Sequence, residues 1–246
     1  MELMNRTAIV TGGGTGIGRA VSLELAGKGA AVIVNYARSK DEAEETAAAI
    51  VRSGGRAIPV RADVSDDADV RAMIKTAEQA FGSVDLLVNN ASVTRHIPLQ
   101  NLEAVTDEDW DSLYDVNVKG MFYCARAAAP LMVRAGGGAI VNVGSIAGKT
   151  GQGSSLPYAV SKAAVHGLTL SLARALAPRI RVNAVIPGAV NTRWWSGREE
   201  QMRRLAPATL LSTLSEPEDI ARAIRFALEQ EAMTGQLITV DSGQTL

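Results

Sequence analysis

Residues Ile9 to Arg19 read I-V-T-G-G-G-T-G-I-G-R, and they restrict the fold more than any other stretch of the chain. A short apolar run, Thr7-Ala8-Ile9-Val10, leads into Gly12, Gly13, Gly14, Gly16 and Gly18. A helical pattern then begins with Ile17, Val21, Leu23 and Leu25. Strand, glycine turn and helix in that order point free backbone N–H groups and a positive helix end at an anion. The missing Cβ atoms let a phosphate approach the backbone closely. A flexible turn is the alternative reading, but the flanking patterns stand on the correct sides for a nucleotide loop.

Spacing narrows the choice of phosphate site. The pattern G-x-G-x-x-G fails in every register. A loop ending in Gly-Lys-Ser/Thr fails too, because Arg19 and Ala20 follow Gly18. The pattern present is Thr11-Gly12-x-x-x-Gly16-x-Gly18.

Val- and Ile-rich runs recur at Ala31–Val34, Ala57–Val60, Val84–Val88, Ala139–Val143, Val182–Ile186 and Leu237–Val240. They are continuous rather than alternating, as in parallel strands covered on both faces. Helical stretches separate them: Asp41–Arg52, a segment capped by Ser65 or Asp66 and running to Ala80, Asp107–Ala135, Pro157–Leu176 and Pro217–Glu229. Unbroken alternation predicts an α/β fold, a doubly wound, Rossmann-like parallel sheet of about seven strands with helices on both faces. No linker or repeat divides residues 1–246, so a single domain is expected.

Composition excludes several functions. A net charge of −1 argues against a nucleic-acid partner. No apolar run reaches membrane-spanning length, and no signal-like segment precedes the first strand. Cys124 is the only cysteine, so no internal disulfide forms, and the expected location is the cytoplasm. One cysteine and the distant His96 and His166 leave no metal site. A serine hydrolase would need a glycine-flanked nucleophile, but Val143 stands two residues before Ser145.

Tyr158-Ala-Val-Ser-Lys162 opens the helix after Pro157 and sets a phenol and an ammonium on one helix face. A nearby ammonium should lower the phenol's pKa from about 10 and make it a usable acid or base. Tyr36-Ala-Arg-Ser-Lys40 has the same spacing, so the motif alone is weak. Context separates the pairs: Ser145, at the carboxyl end of the run Ala139–Val143, lies thirteen residues before Tyr158, where such sheets build their sites.

The whole chain resembles the short-chain dehydrogenase/reductase family, single-domain type, and within it the 3-oxoacyl-acyl-carrier-protein reductases. The glycine loop, Asn89-Asn90-Ala91, Asn117-Val-Lys-Gly120, Ser145, Tyr158, Lys162 and Pro187-Gly188 carry the resemblance. It implies catalytic roles for Ser145, Tyr158, Lys162 and Asn117. Ser145 would stabilise charge on the substrate oxygen, Tyr158 exchange its proton, and Lys162 lower the tyrosine pKa and hold a ribose. Asn117 would hold a relay water. Cofactor contacts are expected from Gly12, Thr15, Gly16, Ile17, Gly18, Asn35, Arg38, Ser39, Asp63, Val64, Asn90, Tyr158, Lys162, Pro187, Gly188, Val190 and Thr192. Ser92, where the family usually carries glycine, departs from the pattern. So does Thr15, where a basic residue is frequent in NADP enzymes.

The expected chemistry is hydride transfer between nicotinamide and a ketone or secondary alcohol, with a 3-oxoacyl thioester as one candidate. A sugar or polyol dehydrogenase using NAD, or a nucleotide-binding regulator without chemistry, are the alternatives. NADP is favoured over NAD: no acid ends the run at Val34-Asn35, while Arg38 and Ser39 can bind a 2′-phosphate. Solvated residues opening the next helix are the other reading of Arg38 and Lys40. Val93-Thr94-Arg95, with Arg134 and Arg179, resembles the group that acts on an acyl carrier protein. A homotetramer is the assembly that the family implies. Residues 192–212, containing Trp194 and Trp195, are expected to form a lid, with at least one tryptophan facing substrate or both packed on the body.

Overall fold

The computed structural model describes residues 1–246, the side chains of Glu199 and Gln201 excepted. Seven parallel strands form one sheet: β1 (Thr7–Val10), β2 (Ala31–Tyr36), β3 (Arg56–Arg61), β4 (Leu86–Asn89), β5 (Gly138–Val143), β6 (Ile180–Pro187) and β7 (Leu237–Val240). Their order is β3-β2-β1-β4-β5-β6-β7. The chain builds outward from β1 to β3, then returns to β4 on the other side of β1. That reversal opens a crevice beyond the carboxyl ends of β1 and β4, where doubly wound sheets bind ligands.

The continuous apolar runs supply two cores at once. Successive strand residues point to opposite faces. Ala8, Val10, Val32, Val34, Leu86 and Val88 join one core with α1 (Gly16–Gly27), α2 (Lys40–Arg52) and α9 (Pro217–Glu229). Ile9, Ile33, Leu87 and Ile140 join the other with α3 (Asp67–Phe81), α5 (Gly120–Arg134) and α7 (Leu156–Leu176). Pro59 lies on β3, the sheet edge, where its missing N–H costs no ladder bond.

Two expected helices are refined. Asp66, not Ser65, caps α3, accepting from the amides of Ala68 (2.7 Å) and Asp69 (3.1 Å). The long pattern Asp107–Ala135 is one unbroken helical run to Arg134, but it is not α-helical throughout. It comprises α4 (Asp107–Tyr114), a π-helical turn (Asp115–Lys119) and α5. Such turns insert an extra residue and re-aim side chains, often at functional sites. Asn117 sits within it.

The stretch beyond β6 folds into a 3₁₀ turn (Arg193–Trp195), α8 (Glu199–Leu205) and a second 3₁₀ turn (Ala206–Ala208). It lies over the crevice, and Trp194, Trp195, Arg198 and Leu205 line the space beneath it.

Candidate active site

A cleft of about 910 Å³ runs along the carboxyl ends of the strands. Gly12, Thr15, Gly16, Ile17, Asn35, Arg38, Ser39, Asp63, Val64 and Asn90 line one part of it. Ser145, Tyr158, Lys162, Pro187, Gly188, Val190 and Thr192 line the rest. Two expected site residues, Gly18 and Asn117, do not line it.

The glycine loop is held from below. Thr11 Oγ1 accepts from the amides of Asn90 (2.9 Å) and Ala91 (3.0 Å), and Asn90 Nδ2 donates to the carbonyl oxygens of Thr11 (2.9 Å) and Gly12 (3.2 Å). A Cβ on Gly18 would stand 2.1 Å from the Gly12 oxygen, so Gly18 permits loop and helix to touch. Gly12 and Gly16 adopt φ of +61° and +50°, which other residues rarely do. At the N-terminus of α1, Thr15 makes no side-chain cap and no acid stands in the first turn. The free N–H groups there thus open on the cleft, and this cradle suits the pyrophosphate of a dinucleotide.

Asn35 corrects one expectation. Its Oδ1 accepts from the Gly12 amide (3.1 Å), and its Nδ2 donates to the Ala62 (3.0 Å) and Val60 (3.3 Å) oxygens. The side chain is buried and spent on tying loop to sheet, so it has no donor left for a ribose. Ser39 Oγ is likewise engaged, accepting from Arg193 Nη2 at 2.8 Å. Asp63 faces Arg38 and Arg61, and the hydroxyl of Ser65 holds its carboxyl below the usual range. Val64 packs on Gly120, where a Cβ would meet it at 2.9 Å.

Ser145, Tyr158 and Lys162 converge. Ser145 lies between β5 and the short helix α6 (Ala147–Thr150), and its Oγ accepts from the Ala147 amide at 3.1 Å. Its hydroxyl faces the Tyr158 phenol and favours the phenolate. Ser155 caps α7 at the Tyr158 amide (3.4 Å), which sets Tyr158 in the first turn. Lys162, one turn on, is 2 % exposed; its Nζ lies 5.8 Å from the Tyr158 ring centroid and donates to the Val143 oxygen at 3.1 Å. The second Tyr–Lys pair is different: Lys40 is exposed and reaches Glu44 at 3.6 Å.

The expected lowering of the tyrosine pKa is not found. Burial pushes the Tyr158 phenol up to about 12, against the opposing pull of the Ser145 hydroxyl. Burial also brings Lys162 down to about 8. Desolvation disfavours the charged form of each group, and here it outweighs their mutual attraction. Tyr158 is therefore a phenol at neutral pH, while Lys162 is still an ammonium.

The Asn117 side chain is fully engaged within the protein. Its Nδ2 donates to the Val93 oxygen (3.1 Å) and to Ser161 Oγ (3.1 Å). Its Oδ1 accepts from Ser92 Oγ (2.9 Å) and the Val93 amide (2.9 Å). An amide side chain offers no further sites. Any water held by Asn117 must use its backbone. Ser92, in place of the usual glycine, contributes one of these bonds.

Sequence reasoning left the role of three groups open. Trp194 lies against Tyr158, with ring centroids 5.8 Å apart. Arg193 reaches across to α2. His166, one turn after Lys162, is buried beside Gly144, with its Nε2 unpartnered and burial lowering its pKa. The i+4 spacing of His166 from Lys162 was the only sequence signal for it. Cys124 is a core residue whose thiol burial pushes up to about 12.

A doubly wound sheet with a nucleotide cradle at its switch point and a Ser–Tyr–Lys grouping beside it defines a nicotinamide-dependent dehydrogenase/reductase acting on CH–OH or keto groups. The short chain dehydrogenase family model matches residues 6–203, and the chain belongs to that family. It is 64% identical over 129 residues to YusR, a short-chain dehydrogenase/reductase homolog of Bacillus subtilis (strain 168), covering 52% of this chain and 100% of that one. It is 39% identical over 244 residues to the 3-oxoacyl-[acyl-carrier-protein] reductase FabG of Staphylococcus aureus (strain Mu50 / ATCC 700699), covering 98% of each. A dehydrogenase/reductase structure from Sinorhizobium meliloti 1021 superposes with a TM-score of 0.89 at 33% identity, over 99% of this chain and 96% of that one. Among the described residues, no helix is long and apolar enough to cross a membrane.

Proposed function

We propose that the protein reduces a ketone with NADPH and that its substrate is a 3-oxoacyl thioester. The single observation that carries the chemistry is the convergence of Ser145, Tyr158 and Lys162 in one cleft with the nucleotide cradle. The likeness to a protein named as a 3-oxoacyl-acyl-carrier-protein reductase supports the substrate class. Val93, Ile97, Pro98, Leu99 and Trp195 give the substrate end an apolar wall suited to an acyl chain.

A bound nicotinamide supplies the hydride. Tyr158, protonated at neutral pH, donates its proton to the carbonyl oxygen. The Ser145 hydroxyl, with its Oγ already fixed by the Ala147 amide, donates to the same oxygen as charge develops. Lys162 then faces the phenolate left behind and stabilises it in a water-poor site, where a charge acts strongly. The Asn117 bonds to Val93 and Ser161 hold the substrate loop against α7, the helix that carries Tyr158 and Lys162.

NADP is favoured by Arg38, which lines the cleft just past β2, and by the lack of a carboxylate at the strand end. Arg134, one of the expected carrier contacts, pairs with Glu78 at 2.7 Å on the surface, and a pair this open is readily given up to an acidic carrier. Residues 1–246 act as one catalytic unit, with residues 192–212 as its lid, in the cytoplasm.

The test is NADPH oxidation with a panel of 3-oxoacyl thioesters and simple ketones. Tyr158→Phe should lose roughly 10²-fold or more in kcat, as for deleting a positioned acid, while Tyr36→Phe keeps the wild-type rate. Turnover by Tyr158→Phe near the wild-type value would remove the mechanism. Turnover of ketones but not of thioesters would remove the substrate class alone.

A further inference from the structure

The turn after β6 sends neighbouring side chains to separate parts of the cleft. Thr192 stands on the glycine loop, its Cγ2 3.4 Å from where a Gly16 Cβ would be. Trp194 turns inward to Tyr158. Arg193, between them, spans the outer rim to the start of α2, with Nη1 2.7 Å from Glu42 Oε1 and Nη2 2.8 Å from Ser39 Oγ.

Resting on the NADPH reading above, we propose that Arg193 is a second binding residue for the cofactor's 2′-phosphate and sets cofactor preference together with Arg38. Arg38, Ser39 and Arg193 all line the cleft just past the carboxyl end of β2, the place where such folds bind the adenosine ribose. Arg193 already occupies Ser39, so the two donors address one point rather than two. A guanidinium presents paired N–H groups in a fixed fork, and two phosphate oxygens match it.

The present partner of Arg193 is replaceable. The side chains of Arg193 and Glu42 are 56% and 47% exposed, and pairs this open contribute about 0–1 kcal/mol. A phosphate dianion makes a stronger, bidentate claim on the same fork. Glu42 is then the counterweight: its carboxylate holds Arg193 while no phosphate is bound and opposes a 2′-phosphate that arrives. The other nearby acid, Asp63, is turned to Ser65 and faces Arg38 and Arg61. Lys40 is turned to Glu44. NADH, with a 2′-hydroxyl, gives the guanidinium no anion at this point and leaves the ion pair intact.

Calorimetric titration of NADPH and NADH tests this without reference to turnover. Arg193→Met should weaken NADPH by about 10–150-fold, the range for a hydrogen bond to a charged group, and leave the NADH dissociation constant unchanged. Glu42→Gln should tighten NADPH by about two- to fivefold. Equal weakening of both cofactors by Arg193→Met would move the arginine to the pyrophosphate and overturn the proposal. No weakening of either, or a Glu42→Gln variant that fails to tighten NADPH, overturns it too. Wild-type protein that binds NADH more tightly than NADPH would instead remove the NADPH reading itself, whatever Arg193 does. Both residues are exposed, and unchanged melting temperatures would confirm that the variants are folded.

Discussion

The indole of Trp194 lies against the phenol of Tyr158, with ring centroids 5.8 Å apart and planes inclined by 48°. The tryptophan comes from the lid and the tyrosine from the first turn of α7. Their contact joins the most mobile class of element, a surface loop, to the proposed acid. It also contributes to the burial that pushes the phenol up to about 12.

Trp194→Ala should therefore bring the Tyr158 pKa down toward the ordinary value of about 10 by readmitting water. Ultraviolet difference titration of the tyrosines, against Tyr158→Phe as reference, reads this. A phenol that titrates as in the wild type would show that the surrounding sheet and helix, not the lid, cause the shift.

Lys162 should make folding stability depend on pH in a definite direction. Its folded pKa is lowered from an ordinary 10.5 to about 8. The unfolded chain thus holds the proton more tightly between those values, and stability rises with pH there. The penalty for burying the ammonium is full below about pH 8 and is relieved as pH approaches 10.5. Relative to Lys162→Met, wild type should gain about 2–3 kcal/mol between pH 7 and pH 10. Denaturant midpoints of both proteins at the two pH values measure it, and a constant difference would contradict the shift.

Asn35→Asp should damage the fold rather than switch the cofactor. The Nδ2 group that donates to Ala62 and Val60 would become an oxygen facing those carbonyls. The cost is about 1–3 kcal/mol for leaving buried groups unpaired, seen as a lower melting temperature. A stable variant that gains NADH preference would show instead that this side chain can turn into the cleft.

Assembly should follow from exposed apolar side chains on two helices. Phe122 and Val133 of α5, and Val160 and Leu170 of α7, are all more than a third exposed. A homotetramer that buries these faces, with a dimer next in order, is expected by light scattering at micromolar concentration. A monomeric mass would exclude it.

What the sequence by itself determined is what depends on neighbours along the chain. Glycine spacing located the cradle. Continuous Val/Ile runs located the strands, because a parallel sheet buries both faces and needs apolar side chains on each. The i, i+4 spacing of Tyr158 and Lys162, with Ser145 at a strand end, pointed to side chains that the structure brings together in the cleft. Periodicity could not reveal the π-helical turn at Asp115–Lys119, since an inserted residue leaves the composition of the helix unaltered. What only the tertiary structure decided depends on partners distant in sequence. Asn35 serves the loop because Gly12 and Ala62 close around it. Asn117 is saturated because Val93 and Ser161 reach it from two other elements. Arg193 meets Glu42 across 151 residues. The acidity of Tyr158 reverses expectation for the same reason: spacing reports the nearby charge, but burial is set by everything packed around the ring, and here desolvation is the larger effect.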